Sequence, residues 1–110
     1  MYLNKIKALD FAHCQGIMHR DVKLKNLIIE SDTNNVRLID WGLAEFFYPN
    51  FEYSLRVGTK PYKAPELLLG YNKYDYSLDL WSLGCIFASA VNNICYFFIC
   101  NLSFNLILNK

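Results

Sequence analysis

The stretch HRDVKLKN, His19 to Asn26, decides how this chain is read. It sets an aspartate, a lysine and an asparagine at spacings of two and three residues in a segment with no regular apolar period. Upstream, residues 2–13 place Leu3, Ile6, Leu9 and Ala12 (or Phe11) at helical spacing, which predicts an amphipathic helix stopping near Gly16. Downstream, the aliphatic runs LIIE (27–30) and VRLI (36–39) flank the turn-forming SDTNN and are expected to pair as a hairpin. The hairpin runs into DWG, Asp40 to Gly42. Residues 40–64 then lack periodicity and carry Gly42, Pro49, Gly58 and Pro61, so a long ordered loop is expected, of a length that in compact domains usually serves function. The loop ends at APE, Ala64 to Glu66, with a short helix expected from Pro65, since proline suits a first turn and Glu66 its positive end.

Residues 77–91, SLDLWSLGCIFASAV, predict a second long helix with Ser77 as N-cap. Its apolar side chains point in nearly every direction, as in a helix sunk in a larger body. The balance of the chain agrees: 54% of the 110 residues are hydrophobic and 16% aromatic, more interior than so short a chain can cover. A net charge of +1 gives no ground for a nucleic-acid or membrane partner. Cys14, Cys85, Cys95 and Cys100 form no CxxC pair, so reduced, mostly buried thiols are expected, as in cytoplasmic or nuclear proteins. The polar start (YLNKIKALD) is unlike a signal peptide. Residues 91–110 change character; the apolar run from Ile94 to Leu108 is shorter than the ~20 residues a membrane helix needs. We treat that tail as divergent, by intron read-through, frameshift or terminal drift; a small membrane-associated protein built around it is the outlying alternative.

HRDVKLKN, DWG and APE, in this order and with a hairpin and a loop between them, resemble the protein-kinase signature set. The resemblance implies an α+β, mainly α fold: a partial kinase C-terminal lobe over residues 1–90. It implies that Asp21 orients the substrate hydroxyl and accepts its proton, that Lys23 compensates charge gathering on the phosphoryl oxygens, and that Asn26 and Asp40 hold Mg²⁺. Ile28 and Ile39, with Asp40, are expected at the nucleotide, and as strand residues they also suit a core. His19 and Arg20 are expected to brace the loop without touching substrate, and Asp79 to hold the backbone of the HRD turn, since a carboxylate is costly in an apolar helix unless hydrogen-bonded.

Within the kinases, GIMHRDVK, LIDWGLAEF and YDYSLDLWSLGC are similar to the casein kinase II catalytic subunit, with Trp41 where most kinases have phenylalanine. That family implies a constitutively active serine/threonine kinase using ATP or GTP with Mg²⁺, acting on protein substrates with acidic sites, partnered by a regulatory subunit, nuclear and cytoplasmic. Arg56, Lys60 and Lys63 are cations suited to attract acidic flanks, and Thr59 matches the residue that hydrogen-bonds near the catalytic aspartate. There are departures: Leu24 stands where proline is usual, and GTKPYKAPE is closer to generic kinases. No glycine-rich loop, VAIK-type lysine or its glutamate partner precedes the catalytic stretch, and the partner expected for Glu66 is missing downstream. The chain is therefore expected to be truncated and weakly active or inactive alone. The alternative is a non-catalytic lobe acting as a binding module, or a pseudogene remnant.

Overall fold

A computed structural model describes residues 7–91. The elements in chain order are α1 (Lys7–Cys14), β1 (Ile17–Met18), β2 (Leu27–Ile29), β3 (Val36–Leu38), β4 (Glu45–Phe46), α2 (Pro65–Leu68) and α3 (Ser77–Val91), with single 3₁₀ turns at Leu24–Asn26 and Lys60–Tyr62. This is an α+β chain with more helix than strand.

α1 buries Leu9 and Ala12, while Phe11 stays 69% exposed, so the apolar stripe runs through Ala12. Leu3 and Ile6 lie outside the described residues. The helix ends because Gly16, at φ +78°, turns the chain in a left-handed conformation that costs a residue with a side chain more. The expected hairpin forms between β2 and β3, antiparallel, with Leu27 opposite Leu38, Ile28 opposite Arg37 and Ile29 opposite Val36. Its turn is fastened by Glu30, whose carboxylate accepts from Thr33 and Arg37; those hydrogen bonds, Thr33 first, hold its pKa below the ordinary value.

The segment 40–64 is not a plain loop. β4 folds back to pair antiparallel with β1, Ile17 opposite Phe46 and Met18 opposite Glu45, so the segment's start is tied to the entrance of the HRDVKLKN stretch. Two residues per strand is too short for alternation to show in sequence. At α3, Ser77 is the first helical residue rather than the cap; the Asp75 carboxylate accepts its backbone N–H at 2.8 Å. A hydrogen bond from the Ser77 hydroxyl, and then that backbone bond, lower the Asp75 pKa.

Two apolar clusters form, and α3 is the beam that joins them. Met18, Tyr53, Val57, Ala64, Leu67, Tyr74 and Leu78 make one; Leu9, Val22 and Ile86 make the other. The HRDVKLKN stretch is pinned between them, with the preceding Met18 anchored in the first and Val22 in the second. On the opposite side of α3, Leu80, Trp81 and Val91 are exposed among the described residues. A helix apolar all round is thus buried on one side only. Of the cysteines, Cys85 is buried but Cys14 is exposed, against the expectation of mostly buried thiols; Cys95 and Cys100 lie outside the described residues. No described helix is long and apolar enough to cross a membrane, and the 91–110 tail, beyond Val91, is likewise outside what is described.

Candidate active site

The site is built on a buried carboxylate. Asp79, in the first turn of α3, has no solvent exposure. Its Oδ1 accepts the Arg20 backbone N–H at 2.8 Å, and its Oδ2 accepts the His19 N–H and a hydrogen bond from His13 Nε2, each at 2.8 Å. Three donors around one carboxylate meet the requirement that a buried charge be paired. Because consecutive backbone amides bind the two oxygens, the turn is locked with Arg20 in the left-handed region, φ +65°. Non-glycine residues persist there only where the surroundings enforce it, which is common at functional sites.

The His19 ring, fully buried, works in two directions. Nδ1 accepts the Asp21 N–H at 3.2 Å, and Nε2 donates to the Ile39 carbonyl at 3.1 Å. Ile39 N–H in turn donates to the Asn26 carbonyl at 2.9 Å. Asp40, the next residue, is thereby carried on backbone fixed to both ends of the catalytic stretch, and it too is left-handed, φ +59°. Trp41 packs edge-on against His19, centroids 4.6 Å apart, and its indole N–H donates to the Leu38 carbonyl, a bond phenylalanine would lack.

Asp21 stands at the centre. Its Oδ1 accepts from the Thr59 hydroxyl at 2.9 Å; its Oδ2 accepts from Lys23 Nζ at 2.7 Å and Asn26 Nδ2 at 3.3 Å. Lys23 also donates to Thr59 Oγ1 at 3.2 Å, and Asn26 Nδ2 to the Asp21 carbonyl at 2.8 Å. Four residues from two segments therefore close a ring of hydrogen bonds that orients one carboxylate. Close approach of the segments is needed for this, and at Gly58 an added Cβ would stand 3.4 Å from the Arg20 carbonyl on a backbone at φ +77°.

The remaining expected residues lie around this ring. Asp40 is exposed and its Oδ1 accepts the Gly42 N–H at 3.4 Å; it makes no direct bond to Asp21 or Asn26. Ile28 and Ile39 are 47% and 37% exposed, so among the described residues each is only partly buried. Arg56 and Lys60 are exposed and Lys63 half-buried, and no side chain of the three enters an ion pair among the described residues. Glu66 sits in the first turn of α2, likewise without an ion pair there.

Two residues in the network were not singled out from sequence. His13 carries the third donor to Asp79; its only signal is a polar residue on an otherwise apolar helix face. Tyr74 is 2% exposed, accepts a hydrogen bond from Arg20 Nη1 at 3.2 Å and donates to the Ser54 carbonyl at 2.6 Å. Burial is the main reason its pKa is raised.

The oxygen atoms of Asn26 and Asp40 are of the kind a Mg²⁺ ion takes. Asn26 spends its amide nitrogen on Asp21, which leaves its amide oxygen as the acceptor, and Asp40 has an exposed carboxylate with one backbone donor. One amide oxygen and one carboxylate suit a hard cation that keeps several waters. The family model of the protein kinase domain matches residues 1–105, and with the geometry above it shows that this chain belongs to the protein kinase family.

Proposed function

We propose that the chain carries the catalytic centre of a serine/threonine protein kinase of the casein kinase II type, which transfers the γ-phosphate of ATP or GTP to Ser or Thr beside acidic residues. The observation that carries the reading is the Asp21 carboxylate, fixed by Thr59, Lys23 and Asn26. A carboxylate so aimed holds a substrate hydroxyl and takes its proton as the oxygen attacks. Lys23, already beside Oδ2, supplies a cation where charge gathers. Thr59 links the substrate-facing loop to the proton acceptor, which supports a preference for aliphatic hydroxyls. Asn26 and Asp40 would hold Mg²⁺, and the bound nucleotide supplies the phosphoryl group and the metal its charge neutralisation. Ile28 and Ile39 offer an apolar floor for the purine.

Arg56, Lys60 and Lys63 face the acidic flanks of the substrate in this reading; their lack of ion pairs among the described residues leaves their charge for a partner. A casein kinase II regulatory subunit is the partner the resemblance suggests, nucleus and cytoplasm the compartments, with no nucleic acid or membrane partner. Asp79, His19 and Arg20 act on substrate only through the backbone they hold. A second reading is a non-catalytic lobe that binds substrate without transfer, favoured by the exposure of Ile28, Ile39 and the outer side of α3. Radiolabelled ATP with an acidic serine peptide, and Asp21→Asn as control, separates the two. Incorporation that Asp21→Asn abolishes supports the kinase; peptide binding with no incorporation supports the binding module. Incorporation that Asp21→Asn leaves unchanged refutes the assignment of Asp21.

A further inference from the structure

Arg20 does more than define a turn. Its Nε donates to the Leu43 carbonyl at 2.6 Å, just past DWG, and its Nη1 to the Tyr74 hydroxyl, which passes a bond to the Ser54 carbonyl at 2.6 Å. One guanidinium thus reaches both arms of the 43–59 loop, the far arm only by way of Tyr74. All the acceptors are neutral: two carbonyls and a phenol. The far arm has other supports: its last residue, Thr59, donates directly to Asp21 Oδ1 at 2.9 Å, while those around residue 54 are of a different kind. Tyr53 and Tyr74 pack ring against ring, centroids 5.2 Å apart, and Tyr53 donates to the Phe46 carbonyl at 2.9 Å. These fasten the loop to itself and to the apolar cluster. In the described structure, the Tyr74 hydroxyl couples Ser54 to the catalytic stretch. Two residues on from Ser54 stands Arg56, whose N–H donates to the Ser54 Oγ at 3.1 Å, and then Val57, buried in the same cluster as Tyr74.

We infer that Tyr74 is a positioning residue: its hydroxyl, held by Arg20, fixes the Ser54 end of the cation-bearing arm to the catalytic stretch, as Thr59 fixes the other end to Asp21, and so governs capture of acidic peptides. The peptide part rests on the function proposed above; the positioning part does not. Tyr74→Phe removes one oxygen and keeps the ring, so it severs the coupling while sparing the packing. Losing two hydrogen bonds, one of them to a charged guanidinium, translates into effects of roughly tenfold or more.

The test uses the full chain, wild type and Tyr74→Phe, with hydrogen exchange followed by mass spectrometry and a fluorescein-labelled acidic serine peptide as probe. Expected are about tenfold faster exchange over residues 54–59 with α3 unchanged, and about tenfold weaker acidic-peptide binding with no change for a neutral peptide. Unchanged exchange over 54–59 overturns the inference, as does faster exchange with undiminished selectivity for the acidic peptide. If α3 exchanges faster as well, Arg20→Lys decides: exchange rising at residues 43 and 54–59 together supports the coupling, and a rise at neither refutes it. If the wild-type chain binds no acidic peptide, the acidic-substrate reading fails, while the exchange data still judge Tyr74.

Discussion

Replacing Asp79 by asparagine tests the whole arrangement with the loss of one charge and no change of shape. Asparagine keeps one acceptor oxygen. Its better orientation puts that oxygen at the Oδ2 position, where it keeps His19 N–H and His13, and turns its NH₂ toward the Arg20 N–H. The Arg20 bond is then lost and replaced by two donors facing each other. A buried hydrogen bond to a charged group is worth about 1.5–3 kcal/mol, and the two surviving bonds fall from charged to neutral strength, about 1 kcal/mol apiece. Arg20, no longer held, recovers ~1–2 kcal/mol by leaving its left-handed backbone, which offsets part of that loss. The balance, about 2–4 kcal/mol for the local structure, lies around the lower end of the usual cost of breaking a buried charged pair. Hydrogen exchange of the His19 and Arg20 amides reads this directly: at 1.36 kcal/mol per factor of ten, their protection should fall by at least ~10-fold. Protection at Arg20 within threefold of wild type would refute the claim that Asp79 holds the turn.

Other outcomes follow from the same network. Thr59→Val, equal in shape but without donor or acceptor, should lower phosphorylation of a serine peptide ~10- to 100-fold, whereas Thr59→Ser restores it; equal rates for Val and Thr would remove Thr59 from the ring. The Asp75 cap gives a pH dependence with a definite sign. Because its folded pKa is lowered from 3.8, its stabilisation of α3 is complete above the ordinary range and fades as pH falls below about 3.8. Protection of the first α3 amides should drop in that acid range, and Asp75→Asn should flatten the drop. Finally, the exposed side of α3 should make the purified chain bind ANS, with Leu80→Lys plus Trp81→Lys cutting the dye signal at least by half. No dye binding by the wild-type chain would contradict the exposure of that face.

Most of the frame was legible because it follows from period and punctuation. Leu9 and Ala12 with Gly16 give α1 and its end; two aliphatic runs about SDTNN give the β2–β3 hairpin; proline gives the start of α2. What escaped was short or long-range. β4 has two residues, and its pairing with β1 joins segments that no local pattern relates. The cap at α3 was misassigned by two residues, since both Ser77 and Asp75 are good capping types and only geometry tells which faces the free amide. Ile28 and Ile39 illustrate a different limit: aliphatic residues in a hairpin imply a covering layer, and the described residues bury these two only in part.

The site shows the same division. Asp21, Lys23 and Asn26 lie within six residues, so the sequence already places them together, and their bonds to one another add orientation. Thr59 and Asp79 are 38 and 58 residues from Asp21, yet they too hold it in place: one binds the carboxylate, the other the backbone before it. A residue pattern identifies the groups that do chemistry, because chemistry restricts residue type. It says less about the groups that hold them, because a hydrogen bond to a backbone amide or carbonyl can be made by many side chains from many places. His13 and Tyr74 are of this second kind: each donates to an oxygen or accepts from a nitrogen that any of several residue types would satisfy. The supporting shell of such a site is therefore visible only when the chain is folded.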